Sequence, residues 1–222
     1  MSGEGPAAAL DGPRIAPASG GPAKRLVVLL HGYGADGNDL IDLGRYFAPT
    51  MPDVAFVSPH APEPHPEVEG GRQWFNLPGV DPRMLREGVL RAAPKLDAFL
   101  DAELARHGLA DDALALVGFS QGTMMALHVG PRRQGAIAGI VGYSGLLPGP
   151  EFLKAEIRHR PPVLLVHGEA DPLIPAVATY VAQRILGDAG FQVEWHIRPG
   201  VEHGIDEEGL RFGADFLRRV LG

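Results

Sequence analysis

The chain has no cysteine. That excludes disulfides, thiolate metal sites and a cysteine nucleophile, and it fits a cytoplasmic location. No apolar run approaches the length that crosses a bilayer, so no integral membrane association is expected. The first residues lack the basic start and continuous apolar segment of a secretory signal. Positive charge is in short supply: 20 Lys and Arg stand against 27 Asp and Glu, for a net charge of −7. That balance argues against nucleic acid as a partner. No internal repeat is visible.

What is present suits one compact domain, with 45% hydrophobic residues in a chain of 222. Residues 1–23 are mostly Gly, Pro and Ala and read as a flexible tail, with a brief edge strand near Ile15. Residues 24–222 form the expected domain. Short apolar runs recur at Leu26–Leu30, Val54–Val57, Ala113–Val117, Ile137–Val141 and Val163–Val166, followed by an alternating stretch at Phe191–Ile197. Helical patterns fall between them. One spans Asp39–Phe47, capped by Asn38 or Asp39. A second spans Asp81–His107, with Pro94 expected to kink or split it and Gly108 to stop it. Others follow from Thr123, Ala176 and Asp206. Strands alternating with helices predict an α/β chain with a doubly wound, mostly parallel sheet. The site of such a sheet lies where strands deliver their C-terminal ends.

Gly118-Phe119-Ser120-Gln121-Gly122 is a G-x-S-x-G between a strand and a helix. That context predicts a sharp turn holding the serine on a strained backbone with its oxygen exposed. A side chain at Gly118 or Gly122 would collide across the turn. A serine hydroxyl needs a base in reach, and the base needs a carboxylate to hold its tautomer. The order for this kind of turn is serine, acid, histidine, which Ser120, Asp171 and His203 meet. Glu169 is the substitute acid. Among the nine histidines, His31 and His167 each precede a glycine at a strand end and read as loop supports. His128 lies in the helix after Ser120 and His196 inside a strand. Ser144 lacks the G-x-S-x-G flanks and reads as a loop residue.

Competing signals are present. Gly32, Gly34 and Gly37 spell G-x-G-x-x-G after a strand, the spacing of a dinucleotide site. The acidic residue such a site requires is missing from the end of the next strand, because Asp53 lies at its wrong end. The same glycine-rich loop suits an esterase's second oxyanion donor. His60, Glu63, His65 and Glu67 lack any recognised ligand spacing, so no metal is expected. Four prolines between Pro59 and Pro66 predict a rigid exposed excursion there. Trp74 and Phe75 read as a lid over a pocket or as plain core.

Five segments, taken together and in order, resemble the phospholipase/carboxylesterase family of α/β-hydrolases, which includes bacterial carboxylesterases and acyl-protein thioesterases. They are His31-Gly-Tyr-Gly-Ala-Asp, Arg72-Gln-Trp-Phe, Val117-Gly-Phe-Ser-Gln-Gly-Thr-Met-Met-Ala, His167-Gly-Glu-Ala-Asp-Pro and Glu202-His-Gly. The likeness spans roughly residues 24 to 220. It implies a single-domain serine hydrolase without a large lid, acting on a small-molecule ester with no cofactor, and it hints at a homodimer. It carries the triad onto Ser120, Asp171 and His203, and the oxyanion N–H groups onto Tyr33 and Gln121. It moves Trp74 and Phe75 toward an acyl pocket that Ile174 also lines. Asn76 departs from the Asp of many members. The expected activity is hydrolysis of small to medium acyl esters or thioesters. A lysophospholipase or acyl-protein thioesterase with longer chains would need a longer groove, for which Leu77, Leu146 and Leu147 are available, so Leu146 joins the substrate-binding set. A hydrolase-fold binding protein is the non-catalytic alternative.

Overall fold

The computed structural model describes residues 9–77, 79 and 81–222. In chain order the elements are β1 (Arg14–Ile15), β2 (Arg25–Leu30), α1 (Gly37–Phe47), β3 (Val54–Val57), β4 (Glu63–Pro64), β5 (Arg72–Gln73), α2 (Pro82–His107), β6 (Leu114–Phe119), α3 (Gln121–Val129), β7 (Gly139–Tyr143), α4 (Leu153–Glu156), β8 (Val163–Gly168), α5 (Val177–Asp188), β9 (Val193–Arg198) and α6 (Glu207–Leu221). Among the described residues the main sheet has seven strands in the order β1-β3-β2-β6-β7-β8-β9. All its pairings are parallel except β1 against β3.

The apolar runs are continuous because the central strands are buried on both faces. Leu26, Val28 and Leu30 of β2 join the layer formed with α2, α3 and α5. Val27 and Leu29 point the other way, into the layer with α1 and α6. Parallel pairing brings the C-terminal ends of β2, β6, β7 and β8 to one edge, which is where the loops of interest begin.

Several local expectations need correction. Asp36, not Asn38 or Asp39, caps α1: its Oδ1 accepts the Asn38 and Asp39 N–H groups at 2.8 and 3.3 Å. The cap therefore lies one step before a helix that starts at Gly37. Pro94 does not split α2, which runs unbroken from Pro82 to His107. The carbonyl it leaves without a partner belongs to Leu90, an exposed residue, so water can serve it. The proline-rich segment is not wholly an excursion. Its base pairs as the β4–β5 hairpin and buries Ala61, while residues 66–70 stay exposed.

The tail expected over residues 1–23 falls partly outside the described residues. From Asp11 onward the chain lies along β3, with Ser58 N–H donating to Pro13 O and His60 N–H to Asp11 O. The expected edge strand is Arg14–Ile15, paired with Val57 and Phe56. Arg14 also holds Glu103 of α2 through contacts of 2.7 and 3.1 Å, and the Glu103 side chain is 2% exposed. This pair ties the first strand to the opposite layer.

Removing one partner of a buried pair strands the other charge. Arg14→Ala leaves Glu103 with only the more exposed Arg106, 3.2 Å away. A loss of about 3 kcal/mol in urea unfolding is expected. Replacing both residues, as Arg14→Ala with Glu103→Leu, should recover most of it, because no buried charge then remains.

Candidate active site

β6 delivers Ser120 at φ 52° and ψ −113°, a backbone setting that costs a non-glycine residue about 1–3 kcal/mol. The surroundings enforce it. Ser120 N–H donates to Tyr143 O at 2.9 Å, and Ser120 O accepts from Thr123 and Met124. The Thr123 hydroxyl lies 2.8 Å from both Gly118 O and Tyr143 O. A Cβ on Gly118 would stand 2.4 Å from Thr123 N, and one on Gly122 would stand 1.8 Å from Leu30 O. The two glycines of the motif are thus steric requirements.

The neighbouring loop is built just as tightly. Gly34 N–H donates to Arg72 O at 2.9 Å, and Arg72 N–H to Ala35 O at 2.8 Å. His31 Nδ1–H donates to Gly32 O, its Nε2 accepts Ala61 N–H, and its carbonyl accepts the Trp74 indole N–H. Its role as a loop support holds. The Tyr33 ring meets His65 edge-on at 4.3 Å. Among the described residues, the main-chain N–H groups of Tyr33 and Gln121 have no hydrogen-bond partner. The Gln121 side chain has a part that sequence reasoning missed. Its Oε1 accepts Trp74 N–H and its Nε2 donates to Phe75 O, both at 2.8 Å.

At the end of β8, Gly168 has no room for a side chain: a Cβ would lie 2.2 Å from Glu202 O and 2.3 Å from Val201 O. This close approach lets Ala170 N–H reach Val201 O at 2.9 Å and brings the loop carrying His203 against the one carrying Asp171. Asp171 Oδ1 accepts the Leu173 and Ile174 N–H groups at 2.8 and 2.9 Å. Its Oδ2 accepts His203 Nδ1–H at 2.7 Å, with His167 Nε2 3.2 Å away. Burial pushes the Asp171 carboxyl up, but the Ile174 N–H, His203 and the Leu173 N–H outweigh it and hold it below the ordinary value. Glu169, the substitute acid, is exposed at the turn. His167 is fixed between Thr179 Oγ1 and Ile174 O, each at 2.8 Å.

The structure therefore joins Asp171 to His203 directly. The His203 ring rests 5.1 Å, centroid to centroid, from that of Phe119, the residue before Ser120. Ser120 Oγ makes no hydrogen bond to His203 in this structure. Trp74 and Phe75 are buried at 1% and 0% and pack behind the His31–Gly34 loop. Ile174 is buried beside Asp171. Leu146 lines an apolar groove of about 230 Å³ with Leu147, Leu85, Ala178, Val181 and Ile185. Among the described residues, no three His, Asp or Glu side chains gather as a metal site, and no helix is long and apolar enough to cross a membrane.

A serine on a strand–turn–helix elbow, at the C-terminal edge of a parallel sheet wound on both faces, defines an α/β-hydrolase. The profile of the phospholipase/carboxylesterase family matches residues 11–221, and the chain belongs to that family. It is a carboxylic ester hydrolase. It is 30% identical to Esterase YpfH of Escherichia coli strain K12 over 201 residues, covering 90% of this chain and 84% of that one. It is also 30% identical to Acyl-protein thioesterase 1 of Schizosaccharomyces pombe over 207 residues, covering 88% and 91%. The crystal structure of esterase PE8 superposes with a TM-score of 0.93 at 42% identity, over 96% of this chain and all of that one (100%). Arabidopsis thaliana SOBER1 shares the fold, with a TM-score of 0.78 at 23% identity over 89% and 99% of the two chains.

Burial lowers the pKa of both His31 and His128 to about 4. The folded state therefore keeps these rings neutral while the unfolded chain binds protons below about pH 6.5. Their contribution is complete above that pH and is lost as pH falls toward 4. Urea unfolding should register a loss of about 2 kcal/mol per histidine between pH 7 and 5. His128 Nδ1 is buried without a partner, so His128→Leu should make this slope shallower.

Proposed function

We propose that the chain hydrolyses esters of small to medium acyl chains, thioesters included, through Ser120, His203 and Asp171. The observation that carries this reading is the 2.7 Å Asp171–His203 hydrogen bond, made at the same sheet edge as the strained Ser120. Substrate binding closes the remaining gap, since such hydrogen bonds tighten in the bound complex. Ser120 Oγ attacks the carbonyl carbon as His203 Nε2 takes its proton. The Tyr33 and Gln121 N–H groups donate to the oxyanion, each stabilising the transition state by about 3 kcal/mol. His203 then protonates the departing alcohol or thiol. A water gives its proton to His203 as its oxygen attacks the acyl carbonyl; the bond to Ser120 Oγ then breaks, His203 returns the proton to that oxygen, and the acid leaves. Asp171 stays ionised throughout, in keeping with its lowered pKa.

This reading carries a cytoplasmic location and a homodimer, the latter supported by exposed Val177, Tyr180 and Val181 along α5. The groove lined by Leu146 and Leu147 favours a second reading on longer acyl chains, as in a lysophospholipase or acyl-protein thioesterase.

Ser120→Ala should abolish turnover of a chromogenic ester and labelling by a fluorophosphonate probe while the protein stays folded. Asp171→Asn should lower kcat by about 10⁴-fold. A Ser120→Ala variant with parental turnover overturns the assignment. A series of p-nitrophenyl esters separates the substrate readings: a maximum in kcat/KM at short to medium chains supports the first, and a continued rise to long chains supports the second.

A further inference from the structure

Ser120 shares its unusual backbone with one other non-glycine residue among those described: Ser144, at φ 46°. Ser144 is 1% exposed and directly follows β7, on the sheet edge where Ser120 and Asp171 lie. Its neighbours bind it to the Ser120 turn. Tyr143 O accepts both the Ser120 N–H and the Thr123 hydroxyl. Gly145 is pressed so close that a Cβ would stand 2.4 Å from Thr123 Cβ and 2.9 Å from Ser120 O. Ser144 N–H donates to Val166 O of β8 at 2.9 Å. Its hydroxyl points across the site and donates to Gly204 O at 3.2 Å, on the residue after His203.

Glycine would occupy this left-handed backbone without strain. Serine sits there at a cost of about 1–3 kcal/mol, and what it adds is the hydroxyl. We infer that Ser144 is a positioning residue for ester hydrolysis: its hydroxyl ties the 203–204 main chain to the Ser120 turn and so sets the approach of the imidazole to the serine. Asp171 cannot do this alone. It anchors Nδ1, about which the ring can still drift toward or away from Ser120. A second anchor on the main chain removes that freedom. The inference rests on the mechanism proposed above.

The test compares Ser144→Gly and Ser144→Ala. Both lack the hydroxyl, and only glycine relieves the backbone. Misplacement of a reacting group by about 1 Å costs on the order of 100-fold in rate, so kcat should fall about 10- to 100-fold in both variants. KM should stay near the parental value. Thermal unfolding of Ser144→Gly should match or exceed the parent, which separates lost positioning from lost stability. Parental kcat in Ser144→Gly overturns the inference. Fluorophosphonate labelling keeps the two failures apart. If the parent is labelled at a residue other than Ser120, the mechanism itself fails. If the parent and Ser144→Gly are labelled at Ser120 at equal rates, the positioning role alone fails.

Discussion

The turn from Gly118 to Gly122 is packed against the end of β2 with no space for a methyl group at either glycine. A Cβ on Gly122 would lie 1.8 Å from Leu30 O, a backbone atom that no rotamer change can move aside. That contact fixes the start of α3 against the loop carrying Tyr33. The main-chain N–H groups of Tyr33 and Gln121, both without a hydrogen-bond partner among the described residues, thus belong to segments that meet backbone to backbone. In the proposed mechanism these two are the oxyanion donors, and preorganised donors cost no rearrangement during reaction. The strain at Ser120 is stored in the same turn and sustained by its bonds to Tyr143, Thr123 and Met124.

A second close approach answers the first across the site. Gly168 lets the Val201 and Glu202 carbonyls come against the end of β8, and this places His203 on Asp171. The two halves are rigid for the same reason: backbone meets backbone where glycine removes the side chain. They are joined through β7. Tyr143 serves the serine side and Ser144 reaches the histidine side. The loops bearing the proposed triad thus stand on neighbouring strands of one sheet, and their separation follows the strand spacing.

Much of this was legible in the chain itself. The apolar runs marked β2, β3, β6 and β8 because strands buried on both faces need no alternation. The G-x-S-x-G announced its turn because glycine is the residue such packing tolerates. The cap of α1 was misplaced by two to three residues, since Asp36, Asn38 and Asp39 are all chemically able to cap and only the helix start chooses between them. Pro94 reads as a kink or a split because its effect depends on whether water can serve the Leu90 carbonyl, which is a matter of exposure. The amide clamp of Gln121 on Trp74 and Phe75 was not legible. Its partners lie 46 and 47 residues away, and any polar side chain could have stood there on local grounds.

From the chain alone came the alternation of strands and helices, the serine turn and the candidate order Ser120, Asp171, His203. These follow from residue type and local spacing. Packing alone supplies the contact of Asp171 with His203, the burial of Trp74 and Phe75 behind a loop, and the reach of Ser144 to Gly204. Such contacts join segments distant along the chain, and their distances are set by the packing of the sheet, which no local pattern encodes.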